Sequence, residues 1–209
     1  MEDLFIQHLI ERLQRPLPGR EAQYKMAHAI RHNYPAEAKN AQQAGVLALF
    51  YPKDGHWHIV LIERDNRNPN DRHRGQISFP GGKFEANDQT LAVTALREAE
   101  EEVNAPVNDI QLLGPLTQLY IPVSNFIVSP YVGMMTYTPT FSPQEEEVKA
   151  ILEIPFHLFT DPANVQQKNM RVAQNITLQN VPFFNIYGRT VWGATAMMIN
   201  ELVELIRNS

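Results

Sequence analysis

Glu98, Glu101 and Glu102 are spaced so that a helix would gather their carboxylates, Glu98 and Glu102 one turn apart and Glu101 beside them. Three ionised carboxylates so close together repel one another unless a cation sits among them. Donors made only of oxygen suit Mg2+ or Mn2+, whereas zinc prefers His and Cys, and the chain has no cysteine. A divalent ion held this way neutralises phosphate oxygens and acidifies a bound water, which is the chemistry of diphosphate hydrolysis. Arg97 adjoins Glu98 and is suited to hold a carboxylate by a bidentate ion pair, orienting the cluster or the loop before it.

The element that must carry these acids is a helix over residues 89–103. Leu91, Ala92, Ala95, Leu96, Ala99 and Val103 recur at steps of three and four and form its apolar face, which leaves the glutamates on the other. An acid-rich helix face on its own is usually just a solvated one. Here it follows Phe79-Pro80-Gly81-Gly82, where a proline fixes its own backbone and two glycines let main-chain atoms come close to a metal or phosphate. Cations crowd the approach: Arg64, Arg67, Arg72, His73, Arg74 and Lys83, diluted by Glu63, Asp65 and Asp71. They are candidates for binding substrate phosphates, set against the plainer reading of a mixed surface loop.

Gly82, Asp88 and the run Arg97-Glu98-Ala99-Glu100-Glu101-Glu102 together resemble the Nudix box, G-x5-E-x7-R-E-U-x-E-E-x-G-U, with U an aliphatic residue. The match departs from that pattern in several places. Eight residues instead of seven separate Asp88 from Arg97, and the box acid is Asp, not Glu. Asn104 stands at the closing glycine, a residue that tolerates the left-handed backbone ending a helix, and Ala105 replaces a larger aliphatic. The run His73-Arg74-Gly75-Gln76-Ile77-Ser78-Phe79-Pro80-Gly81-Gly82, with Leu61-Ile62-Glu63-Arg64 before it, resembles the signature of the Nudix branch acting on coenzyme A. Glu153-Ile154-Pro155 and Val191-Trp192-Gly193-Ala194-Thr195-Ala196 resemble later segments of that branch. Where the branch expects an R-x3-G arrangement the chain has Asp71, and the connecting loop over 65–71 is long and rich in turn formers.

The resemblance implies metal-dependent cleavage of the diphosphate of coenzyme A or an acyl derivative, giving 3',5'-ADP and a 4'-phosphopantetheine product. Glu98 and Glu102 become the principal metal ligands, Glu101 completes the site or helps activate water, the Gly82 carbonyl reaches the metal, and Arg97 orients the acids. An E-V pair of the same branch maps onto Glu147-Val148, making Glu147 the candidate further catalytic acid, with a solvated acidic turn as the plain alternative. Arg64, Arg72, His73, Arg74 and Lys83 are the candidate substrate-binding residues. Hydrolysis of ADP-ribose, NADH or another nucleoside diphosphate derivative is the alternative enzymatic reading, and a metal-free nucleotide-binding regulator the alternative of another class.

Length and composition agree with one domain bearing additions: 209 residues, 44% hydrophobic, with no internal repeat. The net charge of -5 argues against broad nucleic-acid binding. A start lacking a basic, apolar leader and the absence of any bilayer-length apolar run lead to the expectation of a cytoplasmic protein free of membranes. Residues 3–13 and 21–32 read as helices, strands are expected at 44–51, 57–62, 110–119 and 129–137, and a last helix at 193–206. The expected fold is therefore an α/β/α sandwich around a mixed β-sheet, the one the resemblance also implies. Residues 1–43 are read as a helical extension and 44–209 as the hydrolase domain. The extension reads as a cover on that domain, with a homodimer contact as the alternative. His28 and His32 have i,i+4 spacing but no partner of matching chemistry, so they read as an exposed helix face.

Overall fold

Leu47 to Tyr51 are apolar at every position, the pattern of a strand covered on both faces, and the computed structural model bears this out. It describes residues 2–33, 40–67, 73–173 and 175–207. In chain order the elements are α1 (Glu2–Leu13), α2 (Gly19–Tyr24), β1 (Gln42–Lys53), β2 (His56–Arg64), β3 (Ile77–Ser78), β4 (Gly81–Lys83), α3 (Leu91–Val103), β5 (Gln111–Pro115), β6 (Leu119–Ile121), β7 (Phe126–Met134), β8 (Val148–Pro155), α4 (His157–Thr160), β9 (Val165–Ala173), β10 (Ile176–Ile186), β11 (Arg189–Trp192) and α5 (Gly193–Arg207).

Among the described residues β1 to β8 form one mixed sheet, in which β1 runs parallel to β7 and the other pairings are antiparallel. Alternation along β1 and β2 divides the interior in two. Leu47, Leu49, Tyr51, Val60 and Ile62 pack with Ala95, Ala99 and Val103 of α3. Ala48, Phe50, Ile59 and Leu61 belong to the opposite core, with Ile199 and Leu202 of α5 and with Ile6 and Leu9 of α1. Helices thus cover both faces of a mixed sheet, as the sequence reading expects. The β1–β2 hairpin turns through Asp54 and Gly55, both at positive φ (50° and 75°), the backbone that a two-residue hairpin turn requires.

Gly45 sets how closely α3 lies on β1: a Cβ there would stand 2.3 Å from the Leu91 carbonyl oxygen and 3.0 Å from the Ala95 nitrogen. Both are backbone atoms of the helix, so relief requires moving the helix itself. Gly45→Ala is expected to destabilise the chain by about 3 kcal/mol, the upper end for overpacking, read as a lower urea midpoint at unchanged slope.

Several elements depart from the sequence reading. The helix expected over 21–32 stops at Tyr24, and Ala29–Asn33 forms a 3-10 turn. Met26 and Arg31 are both buried, and a continuous α-helix would separate them by about 140° around its axis. His28 and His32 therefore share no α-helical face, and the His32 ring packs edge-on against Tyr24. The strand expected at 110–119 divides into β5 and β6, because the chain leaves the β5 ladder after Pro115 and the Leu116 N–H bonds to the Pro130 carbonyl instead. Strand β8 and the separate sheet β11-β10-β9 had no counterpart in the sequence reading. A register shift between Leu178 and Val181, with Asn180 at positive φ, interrupts the alternation by which β10 would have been recognised.

Helix α1 lies on α5, where Arg12 Nε donates to the Leu205 carbonyl (3.1 Å), and the Phe5 ring sits against Phe50, Trp57 and Phe156. Helix α2 is tied to α5 by Gln23 Nε2 donating to the buried Glu201 (2.8 Å) and Asn200 Nδ2 donating to the Ala22 carbonyl (2.7 Å).

Candidate active site

Helix α3 starts at Thr90, whose hydroxyl accepts the Val93 N–H (3.3 Å), and ends at Asn104 in the left-handed conformation (φ 55°, ψ 42°), as the replacement of glycine by asparagine anticipates. Between these ends Ala95, Ala99 and Val103 bind the helix to β1 and turn Glu98, Glu101 and Glu102 toward a cavity of about 250 Å³. Gln144 and Glu147 complete its lining.

Glu102 is the most enclosed acid of the group, 2% exposed. Its Oε2 accepts the Gly81 N–H at 2.8 Å, and Oε1 lies 3.5 Å from the Arg64 guanidinium. Burial pushes its carboxyl up to about 8, opposed by the Gly81 N–H and by Arg64 and reinforced by the charges of Glu98 and Glu147. Burial likewise raises Glu98, with Arg97 opposing it. Gly82 leaves room for that carboxylate: a Cβ on it would fall 2.5 Å from Glu98 Cδ. The double glycine therefore serves both acids, Gly81 through its N–H and Gly82 through its missing side chain.

Arg97 is the hub. Its Nε and Nη2 grip both oxygens of Asp88 (2.9 and 3.0 Å), Nη1 meets Glu98 (2.9 Å) and Glu101 (3.0 Å), and Nη2 also donates to the Lys83 carbonyl (3.1 Å). Asp88 is 5% exposed and accepts in addition from the Glu85 N–H and the Thr94 hydroxyl. The bond from Arg97 chiefly, and those other donors, hold its carboxyl well below the usual carboxylate range. Although one methylene shorter than Glu and one residue further from the arginine, Asp88 still makes the bidentate pair. Its contribution is to fix Arg97.

Among the described residues no three His, Asp or Glu side chains stand preassembled around a single point. Glu101 instead turns to Arg97, 57% exposed, while Glu98 and Glu102 are screened by the glycine loop and the arginines. Buried Glu102 and partly buried Glu98, whose ionisation is disfavoured, share one cavity with Glu101 and Glu147 and form a donor set that a divalent cation would relieve. The residues present fit such an ion.

The remaining sequence candidates lie around this centre. Arg64 is at the end of β2, where the Gly75 N–H donates to its carbonyl (3.1 Å), so the turn carrying His73 and Arg74 folds back onto that strand end. His73 Nδ1 lies 3.2 Å from Gln76 Oε1, and Lys83, at the end of β4, is exposed. Arg72 falls outside the described residues. Distant segments also meet here, since the Thr195 hydroxyl at the start of α5 donates to the Ile77 carbonyl of β3 (2.9 Å). The sequence reading missed Gln144 and the anchoring role of Asp88. An acid spaced close to the box position was the available signal for Asp88, while Gln144 had none.

A mixed sheet between helices, with a glycine loop set against the acids of the following helix, is the arrangement of the Nudix class of hydrolases. The chain belongs to the Nudix family: the family model, NUDIX domain, matches residues 41–174. It is 37% identical over 136 residues to an uncharacterized Nudix hydrolase NudL of Pectobacterium atrosepticum, covering 63% of this chain and 67% of that one. It is 34% identical over 136 residues to the protein of the same description from Yersinia pestis, covering 65% and 66%. The match thus spans about two thirds of the length of these relatives. The crystal structure of a Nudix hydrolase from M. smegmatis, RenU, shares the fold with a TM-score of 0.54 at 13% identity, over 78% of this chain and 84% of that one.

Proposed function

We propose that the chain hydrolyses the diphosphate bond of coenzyme A or an acyl-coenzyme A, giving 3',5'-ADP and (acyl-)4'-phosphopantetheine, with Mg2+ or Mn2+ as cofactor. The observation that carries this reading is the position of the segment His73 to Gly82. The part of the chain that resembles the coenzyme A branch ends in two glycines set directly against the acids of α3, the Gly81 N–H bonded to Glu102 and Gly82 leaving room for Glu98.

Glu98, Glu102, Glu101 and the Gly82 carbonyl would hold the metal, which when bound supplies neutralisation of diphosphate oxygens and a more acidic water. Arg97, itself fixed by Asp88, keeps Glu98 and Glu101 from swinging apart. Arg64, Arg72, His73, Arg74 and Lys83 bind substrate phosphates. Glu147 faces the buried acids across the cavity and takes the proton of the attacking water, with Glu101 the second candidate for that task. Water oxygen bonds to one phosphorus as the bridging P–O bond breaks, and the bridging oxygen leaves with the other phosphate. In this reading residues 1–43 are a helical cover on the hydrolase domain of 44–209. The cytoplasmic location belongs to the same proposal, with a homodimer contact as the alternative to the cover.

The test is hydrolysis of coenzyme A, dephospho-coenzyme A, ADP-ribose and NADH with Mg2+ or Mn2+, resolving products by mass. Prompt 3',5'-ADP from coenzyme A, abolished by EDTA, is the expected result. Turnover of ADP-ribose or NADH alone would keep the metal chemistry and remove the coenzyme A assignment. Calorimetric binding of a nucleotide without metal dependence or product would favour the regulator.

A further inference from the structure

The last turn of an α-helix leaves carbonyls without partners, and in α3 two of them belong to buried Glu102 and its neighbour Val103. The loop before β8 satisfies both: the Ser142 N–H donates to the Val103 carbonyl (3.1 Å) and the Gln144 N–H to the Glu102 carbonyl (3.0 Å). Gln144 is thus joined by its backbone to the residue whose side chain is the most deeply buried acid of the site.

Its side chain then turns forward along the loop. Gln144 Oε1 accepts the N–H groups of Glu146 (2.6 Å) and Glu147 (3.1 Å), and its carbonyl accepts those of Glu147 (3.1 Å) and Val148 (2.8 Å). From the other side, the Asp65 N–H donates to the Glu147 carbonyl (2.8 Å) and Arg67 donates to the Glu145 carbonyl. The Glu147 backbone is therefore held at both its N–H and its carbonyl, and its side chain lines the same cavity as Glu98, Glu101 and Glu102.

We propose that Gln144 is a positioning residue: one side-chain oxygen, bonded to two successive N–H groups of a loop pinned to the C-terminus of α3, aims Glu147 at the buried acids. With the Gln144 carbonyl and the Asp65 N–H as its remaining anchors, exposed Glu147 would have more freedom to move its carboxylate by the ångström or so over which catalytic geometry is lost. The side chain acts here as an acceptor. This rests on the proposed reading of Glu147 as the acid that takes the water proton.

The test compares Gln144→Met, of similar size without the amide acceptor, with Gln144→Asn, which keeps a neutral amide oxygen able to accept an N–H two or three residues on, each alone and combined with Glu147→Gln. Gln144→Met is expected to lower kcat by about ten- to a hundredfold with KM changed little, as a displaced catalytic group does. Gln144→Asn should recover most of that loss. In the Glu147→Gln background Gln144→Met should cost almost nothing further, since a residue acting through Glu147 has no second route. Amide exchange at Glu146 and Glu147 should accelerate in Gln144→Met while the melting temperature stays within about 3 °C.

Unchanged exchange at those amides, or an equal loss of kcat in both backgrounds, would overturn the proposal while leaving the enzymatic reading in place. If Glu147→Gln alone keeps full activity, the assignment of Glu147 fails and takes this proposal with it. A wild-type chain without metal-dependent hydrolysis of any diphosphate overturns both together.

Discussion

Replacing Glu102 by Gln is expected to lower turnover at least about a hundredfold, the loss typical of removing one preorganised electrostatic group, while the metal-free fold is retained or strengthened. The side chain keeps its volume and its acceptor oxygen for the Gly81 N–H, so packing is unaffected. What disappears is the capacity to carry a charge in a 2% exposed position. The pH dependence separates the two effects. Because the folded carboxyl is raised to about 8 from an ordinary 4.5, metal-free native protein holds a proton there that the unfolded chain releases. That contribution to stability is complete below the unfolded value and is lost as pH rises through about 8. Urea titrations in EDTA should therefore show the wild type losing stability between pH 5 and 8 more steeply than the glutamine variant. A variant with full activity would remove Glu102 from the metal site, and identical pH slopes would contradict its burial as a charge.

The second large effect is expected at Arg97. Arg97→Ala leaves Asp88 buried with, among the described residues, the Glu85 N–H and Thr94 hydroxyl as donors, and frees Glu98 and Glu101 from their common clamp. A stability loss of about 3 kcal/mol follows, the lower part of the range for orphaning a buried charge because Arg97 is itself partly exposed, and turnover should fall by about a hundredfold or more. The pH dependence has the opposite sign to that at Glu102. Asp88 is depressed in the folded chain, so its stabilisation is present above the unfolded value near 3.8 and is lost as pH falls through the lower folded value. The deficit of the alanine variant should be full at neutral pH and shrink on acidification below about 4. An Arg97→Ala protein as stable as wild type at pH 7 would show that the remaining donors suffice for Asp88.

The periodic run from Leu91 to Val103 shows how much of the site was legible in sequence. A 3.6-residue repeat fixes which side chains share a face, so the gathering of Glu98, Glu101 and Glu102 and the turning of Ala95, Ala99 and Val103 into the core follow from local spacing alone. The role of the double glycine was readable in kind, because only a residue without Cβ permits so close an approach, and Asn104 as a left-handed terminator was readable for the same local reason. The helices on both faces of a mixed sheet also followed from the order of periodic and apolar segments.

What the chain alone did not disclose depends on contacts between distant segments. Nothing in the local sequence of Gln144 distinguishes it from a solvated loop residue; its meaning comes from the Glu102 carbonyl against which it is placed. Asp88 became an anchor once the turn brought it under Arg97. The break after Tyr24 answers a need to bury both Met26 and Arg31, and the three-stranded sheet was hidden by a bulge that disrupts its alternation. Periodicity is a property of neighbours along the chain and is written in the sequence. Burial of a charge, the donor an acceptor finds and the distance between two acids are properties of neighbours in space, and only the folded structure decides them.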